Sequence, residues 1–168
     1  MVYILQRFIA LALFMVSIPF LLIVWLAIKL DDGGTLFFKQ KRAGKGKKTF
    51  LMYKFRTMVE GAEELKKKYF NLNEASGPVF KIKEDPRFTK VGRILAHTGI
   101  DELPQLINVV KGEMVLVGPR PLPVDEANKV PKKYKKRFLV LPGATSLWLV
   151  KGAHKLAFDE WMRLDLEY

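Results

Sequence analysis

Asp101 and Glu102 are adjacent carboxylates that open the stretch DELPQLINVV (101–110). The stretch predicts a helix with Asp101 as its N-cap and Pro104 in the first turn, where proline's missing donor costs nothing. Carboxylates at a helix start feel the positive end of the dipole, which keeps at least one of them ionised. An ionised aspartate can attack phosphorus as a nucleophile, and it can hold Mg2+, which takes oxygen ligands. The same spacing also suits a plain N-cap followed by a first-turn glutamate. A second candidate is Arg120 in GPRP (118–121), where two prolines stiffen the backbone around one guanidinium. Stiffening lowers the entropy lost when the fork grips phosphate oxygens, though a rigid turn with a solvated arginine reads the same way. Lys54 and Arg56, two apart in an extended segment, point to one face and form a third candidate, with a solvated strand edge as the alternative. Arg137 ends a lysine run (Lys132, Lys133, Lys135, Lys136) around Tyr134. The run suits a solvated face or anionic lipid, and Arg137 is counted with Lys54, Arg56 and Arg120 as a phosphate binder.

These residues need elements to position them. TLFFKQKR (35–42) and TFLMYKF (49–55) are rich in aromatic and β-branched residues and flank AGKGKK, which predicts a β-hairpin. Val59–Phe70, Arg87–His97, Asp101–Val110, Pro131–Phe138 and Phe158–Leu166 are predicted helices, and Asn71–Asp85 a loop. Glu113–Val117 is a short apolar segment. The soluble part therefore reads as a small α+β unit, mostly helical. Several of its helices are amphipathic and basic enough to lie at a membrane interface.

The N-terminal residues Phe8–Ile28 are uncharged and apolar. As a straight helix, about 21 residues rising roughly 1.5 Å each would cross a hydrocarbon core of about 30 Å. Pro19 must bend that helix, and Ser17 can offer its hydroxyl to a freed carbonyl. Basic residues flank both ends: Arg7 before, and Lys29, Lys39, Lys41 and Arg42 after. If both ends stay with the positive charge, the segment dips in and returns; a proline-kinked span is the alternative. Overall the 168-residue chain carries 29 Lys+Arg against 17 Asp+Glu, so it expects an anionic partner. It has no cysteine, which excludes disulfides and thiolate metal sites. His97 and His154 are too few for a histidine-rich metal site.

At this point the residues converge on a family. FFKQKRAGKGKKTFLMYKFRTM (37–58), GPVFKIKEDPRFTKVGRIL (77–95), IDELPQLINVVKGEMVLVGPRPL (100–122), LPGATSLW (141–148) and RLDLEY (163–168) resemble, in order, the bacterial sugar transferases. These are the monotopic phosphoglycosyl transferases acting on polyprenyl phosphate. The resemblance implies a re-entrant helix-break-helix (1–30) broken at a Ser-Pro pair, and a membrane-associated catalytic domain (31–168) on the cytoplasmic face of the bacterial inner membrane. It implies Mg2+ dependence, a UDP-sugar donor and a polyprenyl phosphate acceptor. The aspartate of the Asp-Glu pair would attack the β-phosphorus, expel UMP and pass the phosphosugar to the lipid. That would be the first membrane step of capsule, exopolysaccharide, O-antigen or glycoprotein glycan synthesis. Carried over by position, the nucleophile and metal ligand is Asp101, with Glu102 beside it. The lysine is Lys54, the arginine Arg120 and the C-terminal aspartate Asp165.

Three departures stand out. Isoleucine (Ile18) lies between Ser17 and Pro19 where the pair is usually contiguous. Ala96 replaces a common arginine, so that one phosphate contact is either missing or supplied by neighbouring His97. Ser146 and Leu149 stand for glycine and glutamine, which bears on acceptor or nucleoside selectivity rather than reaction class. With no large domain ahead of the apolar run, the chain resembles the family's minimal catalytic form, and a homo-oligomer is compatible with it. The rival reading is a non-catalytic, membrane-anchored basic module binding anionic lipid or RNA. Against it, the aromatic residues fall at core spacing rather than as a stacking platform, so no nucleic-acid partner is expected.

Overall fold

The structure, a computed structural model, describes residues 2–150 and 157–168, with side chains omitted at Trp148 and Val150. His154 lies outside the described residues. The fold is small, mixed α/β and mostly helical. Helix α1 (Val2–Asp32) leads into the hairpin β1 (Phe37–Ala43) and β2 (Thr49–Phe55), antiparallel with Phe37 opposite Phe55 and Ala43 opposite Thr49. The hairpin is as the two aromatic and β-branched runs around AGKGKK predict, its turn tightened by a 3-10 segment at Lys45–Lys47.

α1 is the one helix among the described residues long and apolar enough to cross a membrane. It runs as a single helix through Pro19, so the expected break is not an interruption of helical conformation. The Ser17 hydroxyl donates to the Phe14 carbonyl at 2.8 Å, one residue before the Met15 carbonyl that Pro19 leaves without its helical partner. Its covered positions, chiefly Gln6, Ala10, Phe14, Ser17, Leu21, Val24, Ile28 and Asp31, recur every three or four residues and form one stripe along the helix. The first half packs Ala10 and Phe14 on Met52, Leu106, Val109 and Met114. The second half packs Leu21, Val24 and Ile28 on Phe55, Val91 and Leu95. Both halves therefore rest on the same body, while Phe8, Val16, Leu22, Ile23 and Leu30 are exposed.

The C-terminal end of α1 is tied down by polar contacts. Asp31 accepts from the Val91 N–H at 2.9 Å, at the start of α3 (Lys90–Thr98). Asp32 receives both Nη groups of Arg56, which also donates from Nε to the Thr35 carbonyl at 2.6 Å. Gly92 lets α3 sit against the strand exit; a Cβ there would lie 1.9 Å from the Thr57 carbonyl oxygen.

Several elements differ from expectation. The predicted helix Val59–Phe70 shrinks to α2 (Ala62–Leu65), turns and a 3-10 segment at Phe70–Leu72. Its Glu63 accepts from Gln40 Nε2 at 2.9 Å across to the hairpin. Pro131–Phe138 becomes a 3-10 helix, Lys132–Leu139, a short α6 follows at Leu147–Val150, and the C-terminal α7 spans Phe158–Glu167. The apolar segment after α4 (Gln105–Lys111) is β3 (Val115–Val117), which pairs in parallel with β4 (Gly143–Thr145). After α5 (Val124–Lys129), this C-terminal part folds around Leu122, Ala127, Tyr134, Phe138, Phe158 and Met162.

Candidate active site

Asp101 is not an N-cap. It lies inside a 3-10 turn, Ile100–Glu102, that follows left-handed Gly99, and α4 begins only at Gln105. The turn is held between α3 and α4 and presents both carboxylates to the last residues of β2. Lys54 Nζ donates to Glu102 Oε1 at 2.6 Å and to Asp101 Oδ2 at 3.3 Å. Arg120 Nη2 donates to the same Glu102 Oε1 at 2.9 Å. Two cations from distant segments thus converge on one glutamate, with the aspartate alongside.

Arg120 reaches this point because its backbone is fastened on both sides. The Gly118 N–H donates to the Thr145 carbonyl at 3.0 Å, and the Gly143 N–H to the Pro119 carbonyl at 2.9 Å. Only glycines permit that approach; a Cβ on Gly143 would lie 2.2 Å from the Gly118 nitrogen. On the other side, Arg137 donates from Nη2 to the Arg120 carbonyl at 2.6 Å, and Asp165 accepts the Arg120 N–H. Arg137 Nε and Nη2 both bind Asp165 Oδ2, at 2.9 and 2.6 Å, with both side chains 2% exposed.

The surroundings split the two adjacent carboxylates. Burial raises the pKa of Asp101 above the ordinary aspartate value, against the opposing pull of Lys54; the Glu102 charge adds to the rise. Burial acts the same way on Glu102, but Arg120 and Lys54 together overcome it and hold Glu102 far below the carboxylate range. Glu102 is therefore a fixed anion that orders two cations. Asp101 is the carboxylate with the weaker hold on its charge.

Two cavities open on this cluster. The larger, 490 Å3, has Asp101, Lys54, Phe38, Phe55, Met58 and Arg56 in its wall. The smaller, 230 Å3, has Arg120, Arg137 and Asp165. They meet at Arg42, Phe80, Pro123 and Glu126, which line both.

The other expected site residues are placed differently. Arg56 belongs to the larger cavity's wall, but its fork is taken up by Asp32, Thr35 and Met58. Arg137 is neutralised by Asp165 and positions Arg120 through its carbonyl. His97 Nδ1 lies 2.8 Å from the Arg93 carbonyl oxygen and Nε2 3.6 Å from Glu84, outside both cavities. Ser146 is buried beside the Gly143–Thr145 strand, and Leu149 packs on the C-terminal core. Sequence reasoning missed Arg42 and Glu126. Phe38, Gln40 and Arg42 share the inward face of β1, a placement that the polar run KQKR does not announce.

Mg2+ fits the donor set. Among the described residues no cluster of three metal-ligating side chains exists. Asp101 and Glu102 are two adjacent carboxylates facing Lys54 and Arg120. Mg2+ usually takes one or two carboxylates together with substrate phosphates and water.

Comparison with known proteins bears on what this site belongs to. The chain is 45% identical to the galactosyl transferase CpsE of Streptococcus agalactiae serotype III over 138 residues, 82% of this chain and 31% of that protein. It is 37% identical to the undecaprenyl-phosphate galactose phosphotransferase of Salmonella typhimurium over 161 residues, 91% of this chain and 33% of that protein. It is 36% identical to the exopolysaccharide production protein ExoY of Sinorhizobium fredii over 162 residues, 94% of this chain and 71% of that protein. The chain thus spans about a third of the length of the first two. Residues 2–168 match the family model described as bacterial sugar transferase, and that match takes in β2, the Asp-Glu turn, the Pro-Arg-Pro segment and α7. The chain therefore belongs to the bacterial sugar transferases.

Proposed function

We propose that this protein is a phosphoglycosyl transferase that moves a phosphosugar from a UDP-sugar to polyprenyl phosphate, in exopolysaccharide or capsule synthesis. The observation that carries the reading is the convergence of Lys54 and Arg120 on the Asp101–Glu102 turn at the wall of a cavity. An Asp101 carboxylate oxygen attacks the β-phosphorus of the donor. The bond from that phosphorus to the bridging oxygen breaks, and UMP leaves with the electron pair. A phosphate oxygen of the lipid then attacks the aspartyl-bound phosphorus. The Asp101–phosphorus bond breaks, the carboxylate is restored, and polyprenyl diphosphosugar departs. Glu102 keeps Lys54 and Arg120 aimed at the phosphates and moves no proton, because two cations hold it ionised. Mg2+ held by Asp101, with Glu102 beside it, would supply charge neutralisation to the diphosphate.

The same reading places the protein on the cytoplasmic face of a bacterial inner membrane. Both halves of α1 rest on one catalytic body, so both ends of the helix belong on one side of the bilayer. The exposed apolar residues of α1 supply the lipid contact. Exposed Lys132, Lys133, Lys135 and Lys136 suit anionic head groups. The rival reading, a basic binding module without catalysis, loses its support, since Lys54 and Arg120 face a carboxylate pair at a cavity wall rather than a stacking surface. The test is UMP release from a UDP-sugar with polyprenyl phosphate and Mg2+. Release that stops in excess chelator supports the proposal. No release from any UDP-sugar, or full rate in chelator, counts against it.

A further inference from the structure

The two cavities differ in chemistry as well as size. The smaller one, at 230 Å3, is below the roughly 300–1,000 Å3 that whole ligand sites enclose, so it suits a fragment of a nucleotide sugar rather than all of it. Its wall carries Arg42, Lys81, Arg120 and Arg137 against Glu126 and Asp165, and Asp165 is already taken by Arg137. Arg42 donates from Nη1 to the Pro121 carbonyl at 3.0 Å, but its buried Nε has no hydrogen-bond partner. A buried donor without an acceptor is costly and is relieved by a ligand oxygen. Burial, and then the neighbouring Arg120 charge, lower the Arg42 pKa to about 10, so an anion arriving there offsets a standing repulsion. The wall also offers an aromatic surface, the indole of Trp161, with Lys81 Nζ 5.8 Å from its ring centre.

We infer that the smaller cavity seats the nucleoside monophosphate portion of the donor, apart from the larger cavity where Asp101 meets the transferred phosphorus. This rests on the transferase reading above. The direction follows from the ion pairs. Glu102 ties Lys54, beside Asp101 in the larger cavity, to Arg120 in the smaller one. A diphosphate with its β-phosphorus at Asp101 and its α-phosphate at Arg120 therefore runs from one cavity into the other. Its nucleoside end enters the smaller cavity, against Trp161, with Arg42 and Lys81 to meet phosphate oxygens. Departure of UMP through this cavity leaves the larger one open to the lipid phosphate. UMP and lipid phosphate then occupy separate places.

The experiment uses the full chain in detergent or nanodiscs and UMP itself as the probe, read by tryptophan fluorescence. UMP quenches the wild type. Trp161→Phe removes that quenching while Trp25 and Trp148 still emit. Arg42→Gln and Lys81→Met each weaken UMP binding tenfold or more but weaken uridine binding less than threefold. Both raise KM for UDP-sugar and leave KM for polyprenyl phosphate unchanged. The inference is overturned if the wild type fails to bind UMP. It is also overturned if Lys81→Met, with wild-type thermal unfolding, binds UMP normally, or if both KM values rise together. A wild type that binds UMP at this cavity but never releases it from a UDP-sugar refutes the transferase reading alone. A wild type that releases UMP while the variants bind it normally refutes the cavity assignment alone.

Discussion

The pair Asp101 and Glu102 makes a sharp thermodynamic prediction, because neighbouring carboxylates should respond to neutralisation with opposite signs. Asp101 has a folded pKa raised above its ordinary value of 3.8. Such a group favours the fold while protonated and loses that contribution as pH rises through the folded pKa. At pH 7 it therefore destabilises, by about 1.4 kcal/mol for each tenfold weakening of its acidity. Asp101→Asn removes that charge and should raise Tm at pH 7, with the gain fading as pH falls toward 3.8. Glu102 has a folded pKa below its ordinary 4.5, so its contribution is present above that value and is lost as pH falls through the folded pKa. Glu102→Gln leaves Lys54 and Arg120 without their common anion; breaking this partly buried double ion pair costs about 3 kcal/mol. At roughly 2–4 °C per kcal/mol for a chain of this size, Tm should drop by about 10 °C at pH 7, and by less below pH 4.5. The assay is thermal unfolding in one detergent from pH 4 to 8. If Asp101→Asn lowers Tm at pH 7, or if both variants shift Tm in the same direction, the electrostatic account of the site is wrong.

Arg120→Lys keeps the charge but not the fork; losing one charge-assisted bond of about 2 kcal/mol should lower kcat/KM roughly thirtyfold in the UMP-release assay. Burial pushes the Asp165 carboxyl up as it does Asp101, but Asp165→Asn also strands Arg137, whose side chain is 2% exposed, and that loss should dominate, destabilising by about 3 kcal/mol in thermal unfolding. An Arg137→Met, Asp165→Leu double variant should regain stability yet stay slow, because Arg120 has lost its two backbone anchors. Cysteines introduced singly at Val2 and Leu30, both exposed ends of α1, should label from the same side of sealed vesicles; labelling from opposite sides would refute the one-sided placement of the helix.

The hairpin, the apolar N-terminal helix and α7 were legible in the sequence because each declares itself locally: two aromatic and β-branched runs around a glycine turn, an uncharged apolar run, and a helical spacing of apolar residues. The site was legible as residue types. Asp101, Glu102, Lys54 and Arg120 do come together, though residues 54, 101 and 120 are far apart in the chain. Their arrangement was not legible. The helix expected from Asp101 is a 3-10 turn first, since Gly99 reverses the chain and Pro104 delays α4. The parallel pairing of β3 with β4 depends on two glycines passing closely, which no window of sequence records. Arg56 was read as a phosphate binder from its neighbour Lys54, and Arg137 from the lysine run it ends. Asp32 and Asp165, each more than twenty residues away, take up their guanidinium groups. Arg42 was hidden by its neighbours: in KQKR every residue is polar, and only pairing with β2 turns one of the cations inward.

The most direct test of the central claim is mass spectrometry of the protein mixed with UDP-sugar and Mg2+ in the absence of lipid. The account predicts UMP release up to one equivalent and a phosphosugar adduct on the peptide containing Asp101. Adding polyprenyl phosphate should discharge the adduct, and Asp101→Asn should never form it. An adduct on another residue would contradict the account. So would transfer that requires donor and lipid together with no adduct at all, which would leave Asp101 as a metal ligand beside a substrate-to-substrate reaction.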